Sequence, residues 1–445
     1  MKKVLVLGAG LVSSPLVRYL LESPDFQVTV ASRTVSKAEA LIGGHPRGTA
    51  VQLLANETAK LEKLVSDHDL AISLLPAPLH PVVAEMCVTH RKHMVTTSYV
   101  SPKMRGLDDA ARRADVLLLN EIGVDPGIDH MSAMRIIHDV ARRGGRVVSF
   151  KSYCGGLPAP EANDNPWGYK FSWSPRGVCT AGRNAACYRE NGKLVEIPGP
   201  ELFGCHHPVP VEGVPGHAEL EGYPNRDSLI YVDLYGLEGI ETMFRGTLRY
   251  PGWCACLKKV VELGLLDETQ ATYAVGTTFA QWIAGFIGSK STGSLRARVA
   301  EFLKLESSSN VLERWEWLGL FSNDPLPNAG QPTTALDVLA ARMEARMAYK
   351  PGERDMLVLM HRFVARLPGR PDEKISSTLI DFGIPDGDSS MARTVSLPAA
   401  IATKLILTGA IRDVGVHVPV QPAIYNPVLD ELATMNIRCA EKTER

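Results

Sequence analysis

The first 120 residues of the chain alternate short apolar runs with segments of helical periodicity. The first example is Val4–Leu7, a continuous apolar run, which is followed by helically spaced apolar residues over Leu11–Leu21. Continuous apolar runs are typical of parallel strands covered on both faces, and their alternation with helices predicts βαβ units. Further strands are expected at Gln27–Ala31, Asp69–Leu75, Val95–Thr97 and Val116–Leu119. The pattern therefore predicts an α/β fold with a doubly wound parallel sheet of the Rossmann type.

The pattern changes after residue 129. Residues 147–260 are rich in glycine, proline and aromatic residues, with strand-like segments at Val147–Cys154, Ser228–Leu234 and Thr242–Tyr250. Helical spacing dominates up to residue 350, and strand-like segments return at 354–366 and 375–382. A helical block flanked by strands indicates an insertion between two parts of one sheet. We therefore predict a mixed α+β domain that carries an inserted helical domain.

Length and charge narrow the class of protein. A chain of 445 residues is long enough for two or three domains. Its 48 Lys and Arg residues against 49 Asp and Glu leave a net charge of −1, which predicts neither a nucleic-acid partner nor an anionic membrane surface. No run of apolar residues is long enough to span a membrane. The eight cysteines lack a disulfide or zinc pattern, so we expect a cytoplasmic protein with reduced thiols and no metal.

A glycine-rich segment joins the first predicted strand to the first predicted helix. It consists of Gly8, Ala9, Gly10, Leu11 and Val12, followed by Ser13 at the place of the third glycine in a dinucleotide fingerprint. In such a loop the first glycine makes the turn, and the second lets the backbone approach a pyrophosphate at the helix N-terminus. The alternative is a glycine turn in a doubly wound domain that binds no nucleotide.

The end of the second predicted strand bears on the choice of cofactor. The residues there are Ser32, Arg33 and Thr34, without the carboxylate that would bind the ribose 2′-hydroxyl of NAD. A guanidinium flanked by hydroxyl groups suits a 2′-phosphate instead. The sequence therefore predicts NADP, although a solvent-facing arginine in a loop is the alternative.

Longer motifs resemble one family over essentially the whole chain, the NADP-dependent, glutamate-forming saccharopine reductases. These motifs follow the glycine loop in order: Thr97–Ser101, Asn120–His130, Ser152–Pro160, Asn165–Ser174, Tyr223–Ser228, Arg245–Tyr250, Trp315–Phe321 and Ala400–Lys404. The resemblance implies interconversion of saccharopine with glutamate and α-aminoadipate δ-semialdehyde, through hydride transfer between NADPH and an imine. The direction in the cell, lysine synthesis or breakdown, is left open.

The resemblance also implies an order of domains. A Rossmann dinucleotide-binding domain is expected over residues 1–128 and 391–445. A mixed-sheet substrate and dimerisation domain is expected over 129–256 and 351–390, with a helical insertion over 257–350. A homodimer is the expected assembly.

Candidate site residues follow from the resemblance and from positions at the carboxyl ends of predicted strands. The residues expected to bind the cofactor are Gly8, Ala9, Gly10, Leu11, Val12, Ser32, Arg33, Thr34, Leu75, Thr97, Ser98 and Val124. The residues expected to bind the substrate are Ser98, Tyr99, Asp125, Arg226, Thr247, Leu248 and Arg249. Arginine is expected because saccharopine carries three carboxylates, which guanidinium groups bind in pairs of hydrogen bonds. Arg245 is left open between a substrate ligand and a structural ion pair.

Acid–base candidates are Tyr99, Asp125 and Cys154. Each has an alternative: Tyr99 as a packing residue, Asp125 as a cap for the helix beginning near residue 129, and Cys154 as a buried structural thiol. A single essential acid–base residue is not expected, because the imine itself can carry the proton.

Three segments depart from the family pattern: Leu54–Asn56, Ala77–His80 and Phe203–Gly222. The first two bear on cofactor affinity and the third on substrate fit. Two other functions stay open at this point. One is a reductase of the same fold acting on another adduct, such as a carboxylated polyamine precursor, and the other is a dinucleotide-binding scaffold without turnover.

Overall fold

The computed structural model describes residues 1–54, 56–216, 219–288 and 293–444. In chain order, the strands are β1 (Lys2–Leu7), β2 (Phe26–Ser32), β3 (Gly48–Gln52), β4 (Leu70–Ser73), β5 (His93–Thr96), β6 (Leu117–Leu119), β7 (Arg146–Pro158), β8 (Ala186–Glu190), β9 (Lys193–Ile197), β10 (His207–Pro210), β11 (Glu219–Pro224), β12 (Thr242–Arg249), β13 (Ala271–Thr272), β14 (Pro332–Thr333), β15 (Asp355–Arg366), β16 (Glu373–Phe382), β17 (Gly415–His417) and β18 (Ala440–Glu444).

The α-helices alternate with these strands. They are α1 (Ser14–Glu22), α2 (Val35–Ile42), α3 (Thr58–Asp67), α4 (His80–Thr89), α5 (Pro102–Arg105), α6 (Asp108–Ala114), α7 (Ile128–Arg142), α8 (Pro175–Thr180), α9 (Ile230–Leu234), α10 (Trp253–Glu262), α11 (Phe279–Ile287), α12 (Leu295–Phe302), α13 (Asn310–Leu318), α14 (Ala335–Arg346), α15 (Ser390–Leu407) and α16 (Pro422–Thr434). Short 3-10 helices lie at Ala77–Leu79, Pro160–Ala162, Ala181–Arg183 and Gly199–Cys205.

Internal contacts divide the chain into two units. Unit 1 comprises Met1–Val147 and Val364–Arg445, and unit 2 comprises Val148–Phe363. The division into three domains expected from the sequence stays a prediction.

Unit 1 contains a parallel sheet of seven strands in the order β17-β6-β5-β4-β1-β2-β3. The inner strand β1 is fully buried over its last four residues, because helices cover both faces of a doubly wound sheet. The strand order from β3 to β6 is that of a Rossmann sheet, which confirms the predicted α/β class. Register aligns Leu7 of β1 with Ser73 of β4, and Ser73 with Thr96 of β5. The carboxyl ends of these three strands therefore meet at one edge of the sheet.

Unit 2 contains the predicted mixed sheet. Its strand order includes β10-β11-β12-β7-β15, with β8 and β9 alongside. Strands β11 and β12 are antiparallel, whereas β12 and β7 are parallel. A core rich in aromatic residues packs among the helices of this unit, and its largest fully buried side chains include Trp167, Trp253 and Trp315. Trp167 and Trp315 therefore belong to the core of this unit.

One predicted strand is wrong. The segment Ser228–Leu234 contains the helix α9 instead. The prediction failed because a short apolar run, taken without its neighbours, is consistent with either a strand or a helix. Helical spacing brings Tyr231 onto the same face as Tyr235, and the two rings lie 5.6 Å apart. Burial of both rings therefore favours the helix.

In the part of the chain that the structure describes, no helix has both the length and the apolar character needed to cross a membrane.

Candidate active site

The glycine loop begins where β1 ends. Gly8 has a φ of +116°, and its N–H donates a hydrogen bond of 2.9 Å to the carbonyl of Ala31. A Cβ atom at this position would lie 3.0 Å from the carbonyl oxygen of Leu74. Both the positive φ and the close contact exclude larger residues, so this turn requires glycine.

Ser13 explains the departure from the third glycine of the fingerprint. Its fully buried hydroxyl donates to the carbonyl of Gly8 at 3.3 Å and accepts from the N–H of Gly10 at 3.1 Å. The serine therefore closes the glycine loop by hydrogen bonds. No described side chain caps the N-terminus of α1, so its first N–H groups suit an anion. Leu11, at the outer side of the loop, is 68% exposed.

Arg33 lies in the exposed turn between β2 and α2. Its backbone is held, because the side-chain amide of Gln52 donates to the Arg33 carbonyl at 3.3 Å, and the Ser32 hydroxyl accepts the N–H of Thr34 at 3.4 Å. Its guanidinium forms no ion pair with any residue that the structure describes. An unpaired cation beside a glycine loop at a helix N-terminus fits a dinucleotide with a 2′-phosphate.

The remaining candidate cofactor residues follow the other strands of unit 1. Thr97 comes directly after the end of β5, and Leu75 comes two residues after the end of β4; both are half-buried. Val124 is buried in the loop after β6. Thr97 packs against Gly123 of that loop, where a Cβ atom would lie 3.1 Å from the Thr97 Cβ. These residues therefore lie around the edge at which the glycine loop begins.

The segment after β5, Ser98–Val100, is held from two sides. The side chain of His80 bonds to the Ser98 hydroxyl at 2.8 Å. Glu121 donates its N–H to the Ser98 carbonyl at 3.2 Å and accepts the N–H of Val100 at 2.9 Å. The other carboxylate oxygen of Glu121 lies 2.8 Å from the Nε2 of the buried His130. Glu121 thus fixes the backbone on both sides of Tyr99.

Tyr99 and Asp125 form a hydrogen-bonded pair in unit 1. The Tyr99 hydroxyl donates to the Asp125 Oδ1 at 3.1 Å, and both residues are half-buried. Asp125 precedes a cis peptide bond to Pro126. The N-cap residue of α7 is Gly127, and it is Asp129 that accepts the Gly127 N–H, at 2.6 Å. The N-cap of α7 is therefore Gly127 and not Asp125.

In unit 2, a polar row crosses three strands. Tyr223 of β11 pairs in register with Thr247 of β12, and Thr247 pairs with Cys154 of β7. Arg245 and Arg249 lie two residues to either side of Thr247, so the three share one face of β12. The Arg245 guanidinium stacks over the Tyr231 ring at 4.3 Å. Leu248, another expected substrate residue, has its side chain on the opposite, fully buried face.

Arg249 is a buried cation. Its side chain is 4% exposed, its Nη1 donates to the Leu248 carbonyl at 2.7 Å, and its guanidinium lies 4.9 Å from the Tyr169 ring centroid. Its Nε has no hydrogen-bond partner among the residues that the structure describes. Burial raises the pKa of the Tyr169 hydroxyl, and it raises that of Tyr223 to about 12, so neither phenol supplies a counter-charge.

The acidic residue that pairs in register with Arg249 is hydrogen-bonded to other groups. Glu221 of β11 pairs directly with Arg249 across the strands. Its carboxylate instead accepts the N–H of Gly252 at 2.6 Å and that of Cys254 at 3.0 Å, next to the N-terminus of α10. Within the described ranges, Arg249 forms no ion pair.

Arg226 occupies a different environment from Arg249. It is exposed in the loop after β11, has a φ of +56°, and its carbonyl accepts the N–H of Cys187 at 3.0 Å. The preceding residue, Asn225, donates its N–H to the carbonyl of Arg245 at 2.9 Å. The chain therefore brings Arg226 near the Arg245 end of β12.

The histidines of the divergent segment have local partners. His206 Nδ1 lies 2.8 Å from the Phe203 carbonyl, and His207 Nε2 lies 3.0 Å from the Tyr153 hydroxyl. Among the described residues, no group of three or more His, Cys, Asp or Glu side chains is arranged to hold a metal ion. Ala55, in the first divergent segment, lies outside the described residues, as do residues 217 and 218 in the third.

Two residues of this region were not predicted from the sequence, His80 and Glu121. Glu121 was contained in a recognised motif without a role. Its unusual φ of +56° and its contacts with Ser98 and Val100 depend on tertiary structure. His80 was named only as the last residue of the divergent segment Ala77–His80, which was expected to bear on cofactor affinity.

Comparison with known proteins gives a consistent result over the whole chain. Two family models match it: "Saccharopine dehydrogenase NADP binding domain" over residues 4–119 and "Saccharopine dehydrogenase C-terminal domain" over residues 123–437. The chain is 43% identical over 451 residues to the saccharopine dehydrogenase (NADP+, L-glutamate-forming) of Schizosaccharomyces pombe, with 99% of both chains covered. It is 41% identical over 438 residues to the Saccharomyces cerevisiae protein of the same name, covering 97% of this chain and 96% of that one.

A solved structure extends the likeness to three dimensions. The apo saccharopine dehydrogenase (L-Glu forming) of Saccharomyces cerevisiae matches with a TM-score of 0.88 at 39% identity, and 100% of both chains is covered.

Proposed function

The chain belongs to the saccharopine dehydrogenase family, and from that premise we propose which of its residues bind and convert saccharopine. The protein is an NADP(H)-dependent oxidoreductase of lysine metabolism. In the oxidative direction, saccharopine, water and NADP+ give glutamate, α-aminoadipate δ-semialdehyde, NADPH and a proton. In the reductive direction, the glutamate amine condenses with the aldehyde and the resulting imine is reduced.

The observation that carries the substrate assignment is the buried, unpaired guanidinium of Arg249. A guanidinium remains protonated at any physiological pH, and burying such a charge without a counter-ion is costly. Among the described residues, its partners are a carbonyl and two aromatic rings, those of Tyr169 and Trp253. A substrate carboxylate would supply the missing charge and accept from the unpartnered Nε. Arg249 is therefore proposed as a carboxylate ligand for saccharopine.

A second carboxylate has a separate candidate ligand. Saccharopine carries carboxylates at both ends, and Arg226 lies near the Arg245 end of β12. The Cα atoms of Arg245 and Arg249 are separated by about 13 Å, four residues along an extended strand. Arg226 and Arg249 are proposed to bind different carboxylates, with Thr247 and the backbone of Leu248 between them. Fixing both ends of a flexible substrate limits the positions that its reacting carbon can adopt.

The residues proposed for the cofactor belong to unit 1. The loop of Gly8, Ala9 and Gly10, continued by Leu11 and Val12, is proposed to hold the pyrophosphate. Arg33 is proposed to bind the 2′-phosphate with help from the hydroxyl groups of Ser32 and Thr34. The residues proposed around the nicotinamide are Leu75, Thr97, Ser98 and Val124. When bound, NADPH supplies the hydride that reduces the imine.

Three side chains are proposed to take part in proton transfer. The Asp125 carboxylate accepts from Tyr99 and suits a role in orienting the substrate amine. Tyr99 is proposed to pass a proton to or from this carboxylate. Cys154, next to Thr247 in register, is the third candidate. Because the imine can itself carry a proton, these residues are proposed to assist condensation and hydrolysis without any one of them being indispensable.

The three-domain division, the homodimer and the cytoplasmic location are likewise proposed. The support for them is the resemblance of the whole chain and the composition described above, which includes no disulfide pattern.

The test is a steady-state assay with saccharopine, followed by NADPH absorbance and run in both directions with NADP+ and NAD+ compared. We expect turnover of saccharopine and a strong preference for NADP+. Turnover of another amine–aldehyde adduct but not of saccharopine would contradict the substrate assignment. Cofactor binding without turnover of any adduct would contradict catalysis altogether.

A further inference from the structure

A chain of three side chains reaches the candidate site from within the sheet of unit 1. The hydroxyl of Ser73, the last residue of β4, lies 2.8 Å from the Nδ1 of His80, the first residue of α4. The Nε2 of the same ring lies 2.8 Å from the hydroxyl of Ser98. Ser73 and His80 are buried, and Ser98 is half-buried. The imidazole therefore connects the interior of the sheet to a residue proposed to bind the ligand.

The imidazole in this chain is neutral at physiological pH. Burial lowers its pKa from 6.5 to about 4. A neutral imidazole has one nitrogen that donates and one that accepts, so the two hydroxyl partners must play opposite roles. The pattern of hydrogen bonds decides which nitrogen carries the proton.

Ser73 determines that pattern. Its hydroxyl is fully buried, and in the described residues His80 is its only side-chain partner. A buried hydroxyl proton without an acceptor is costly, so the Ser73 O–H donates to Nδ1. The proton of the ring is then on Nε2, which donates to the Ser98 oxygen. The Ser98 proton is consequently directed to another acceptor.

The backbone of Ser98 is fixed independently of the imidazole. Its carbonyl accepts the N–H of Glu121 at 3.2 Å, and its N–H donates to the Thr96 hydroxyl at 3.4 Å. What remains variable is the direction of the hydroxyl. Within the described part of the chain, His80 is its only partner.

We propose that His80 is a positioning residue that presents the Ser98 hydroxyl as a hydrogen-bond donor to a carbonyl-type oxygen of the bound reactants. This inference rests on the proposed function. Two oxygens have the required chemistry, that of the nicotinamide carboxamide and that of a saccharopine carboxylate. Both accept a hydrogen bond from a hydroxyl group, and the experiment below distinguishes them.

The test is a double-mutant cycle of His80→Phe and Ser98→Ala, with kcat/KM measured for saccharopine and NADP+. His80→Phe keeps a planar ring of similar size but loses both nitrogens. With Ser98 present, we expect about a tenfold loss, corresponding to one neutral hydrogen bond. In the Ser98→Ala background, the same change should cost less than about twofold, because there is no hydroxyl left to orient.

A separate measurement identifies the oxygen. If the carboxamide accepts from Ser98, His80→Phe weakens NADPH binding to the protein alone, as followed by NADPH fluorescence. If a saccharopine carboxylate accepts, NADPH binding is unchanged and the KM for saccharopine rises. His80→Gln, with an amide donor at the position of Nε2, should restore most of the lost rate.

His68 is the matched control. It is another buried histidine of unit 1 with two hydrogen bonds, to the Leu64 carbonyl at 2.6 Å and the Thr29 hydroxyl at 2.8 Å. It precedes β4, at the amino end of the strand. His68→Phe should reduce stability by a comparable amount and leave kcat/KM unchanged.

Equal losses in the two backgrounds of the cycle, or an unchanged rate in His80→Phe, would overturn the proposal. If His80→Phe does not fold, Ser73→Ala replaces it in the same cycle, with an expected loss of about threefold that again depends on Ser98. Failure of the proposed function is seen separately, because wild-type protein would then not turn over saccharopine.

Discussion

His80 in unit 1 and Arg249 in unit 2 are both buried nitrogen bases, but burial has opposite consequences for their charge. Burial disfavours the charged imidazolium, so the pKa of the imidazole falls to about 4 and the ring is neutral. The guanidinium cannot do so, because it stays protonated under all physiological conditions. His80 is accordingly satisfied by two neutral hydroxyl groups, whereas Arg249 keeps a charge without a carboxylate partner in the described residues.

This difference separates two ways to build a binding site. A neutral imidazole with both nitrogens bonded fixes geometry and adds stability before any ligand is present. A buried, unpaired guanidinium reduces stability until an anion binds. Binding of a carboxylate removes this unfavourable free energy, which increases the affinity for the carboxylate. The exposed Arg33 is a third case. Because solvent screens its charge, it contributes less to the binding of a phosphate than a buried cation contributes to the binding of a carboxylate.

The largest expected effect comes from Arg249→Met, which removes the buried charge and keeps much of the side-chain volume. We expect kcat/KM for saccharopine to fall on the order of a hundredfold or more, with NADPH binding unchanged. The free energy of unfolding should be unchanged or higher, because an uncompensated buried charge has been removed. Steady-state kinetics and denaturant unfolding measure the two quantities.

Arg189→Met is the control for Arg249→Met. Arg189 is also an arginine of unit 2 that donates to a backbone carbonyl, that of Ile240 at 3.2 Å. Its replacement should leave kcat/KM for saccharopine unchanged. A loss of stability without a loss of activity in Arg249→Met would show that the guanidinium is structural.

The second prediction concerns pH and the other half of the comparison. Because the folded-state pKa of His80 is about 4 and the ordinary value is 6.5, the unfolded chain binds more protons between these values. The stabilisation is therefore complete above pH 6.5 and is lost as the pH falls toward 4. When the pH falls from about 7 to about 5, this single group should lower the free energy of unfolding by about 2 kcal/mol.

The measurement compares urea unfolding of wild-type protein and His80→Phe at the two pH values. Other buried histidines, such as His68, contribute to both proteins and cancel in the difference. The variant should lose less stability on acidification than the wild type. An equal loss in both would mean that His80 titrates normally.

The third prediction tests the exposed cation. Arg33→Ala should weaken NADPH binding about tenfold and leave NADH binding unchanged, because only NADPH carries the 2′-phosphate. Lys37→Ala, which removes an exposed cation on the following helix, should affect the two cofactors equally. Fluorescence titration with both cofactors measures the difference. Equal losses for NADPH and NADH in Arg33→Ala would contradict the assignment.

The smallest effects are expected at the proton-transfer candidates. Asp125→Ala and Cys154→Ser should each lower kcat by no more than about tenfold, below the hundredfold or more expected for an essential acid–base group. The reason is that the imine carries a proton itself. Profiles of kcat against pH for both variants provide the measurement, and a loss of a thousandfold in either would identify an essential residue.

Much of unit 1 was predictable from local pattern. Continuous apolar runs and the glycine spacing depend only on neighbouring residues, so they predicted β1, the loop at Gly8 and the helix after it. The strand predicted at Ser228–Leu234 was wrong because a short apolar run is consistent with a strand or a helix. The contact between Tyr231 and Tyr235 favours the helix. The limiting information was which side chains of this segment are buried, and the tertiary structure decides that.

The same limit applies to the candidate site. The sequence pointed to Arg249 through its motif but gave no sign that Glu221, its partner in register, binds the backbone at the N-terminus of α10. It placed His80 only in a segment that bears on cofactor affinity and assigned no role to Glu121, although both residues hold the segment around Ser98. A role of this kind depends on hydrogen bonds between residues that are distant in the sequence.

By itself, the sequence determined the α/β class, the glycine loop, the NADP cofactor and the family, because each depends on residues close together in the chain or on ordered motifs. Only the tertiary structure decided which polar groups are paired. Register and burial gave His80 two neutral partners and left Arg249 without a carboxylate, and the free energy of a buried group depends on those partners. The difference in charge and pairing between the two residues is therefore a property of the folded chain.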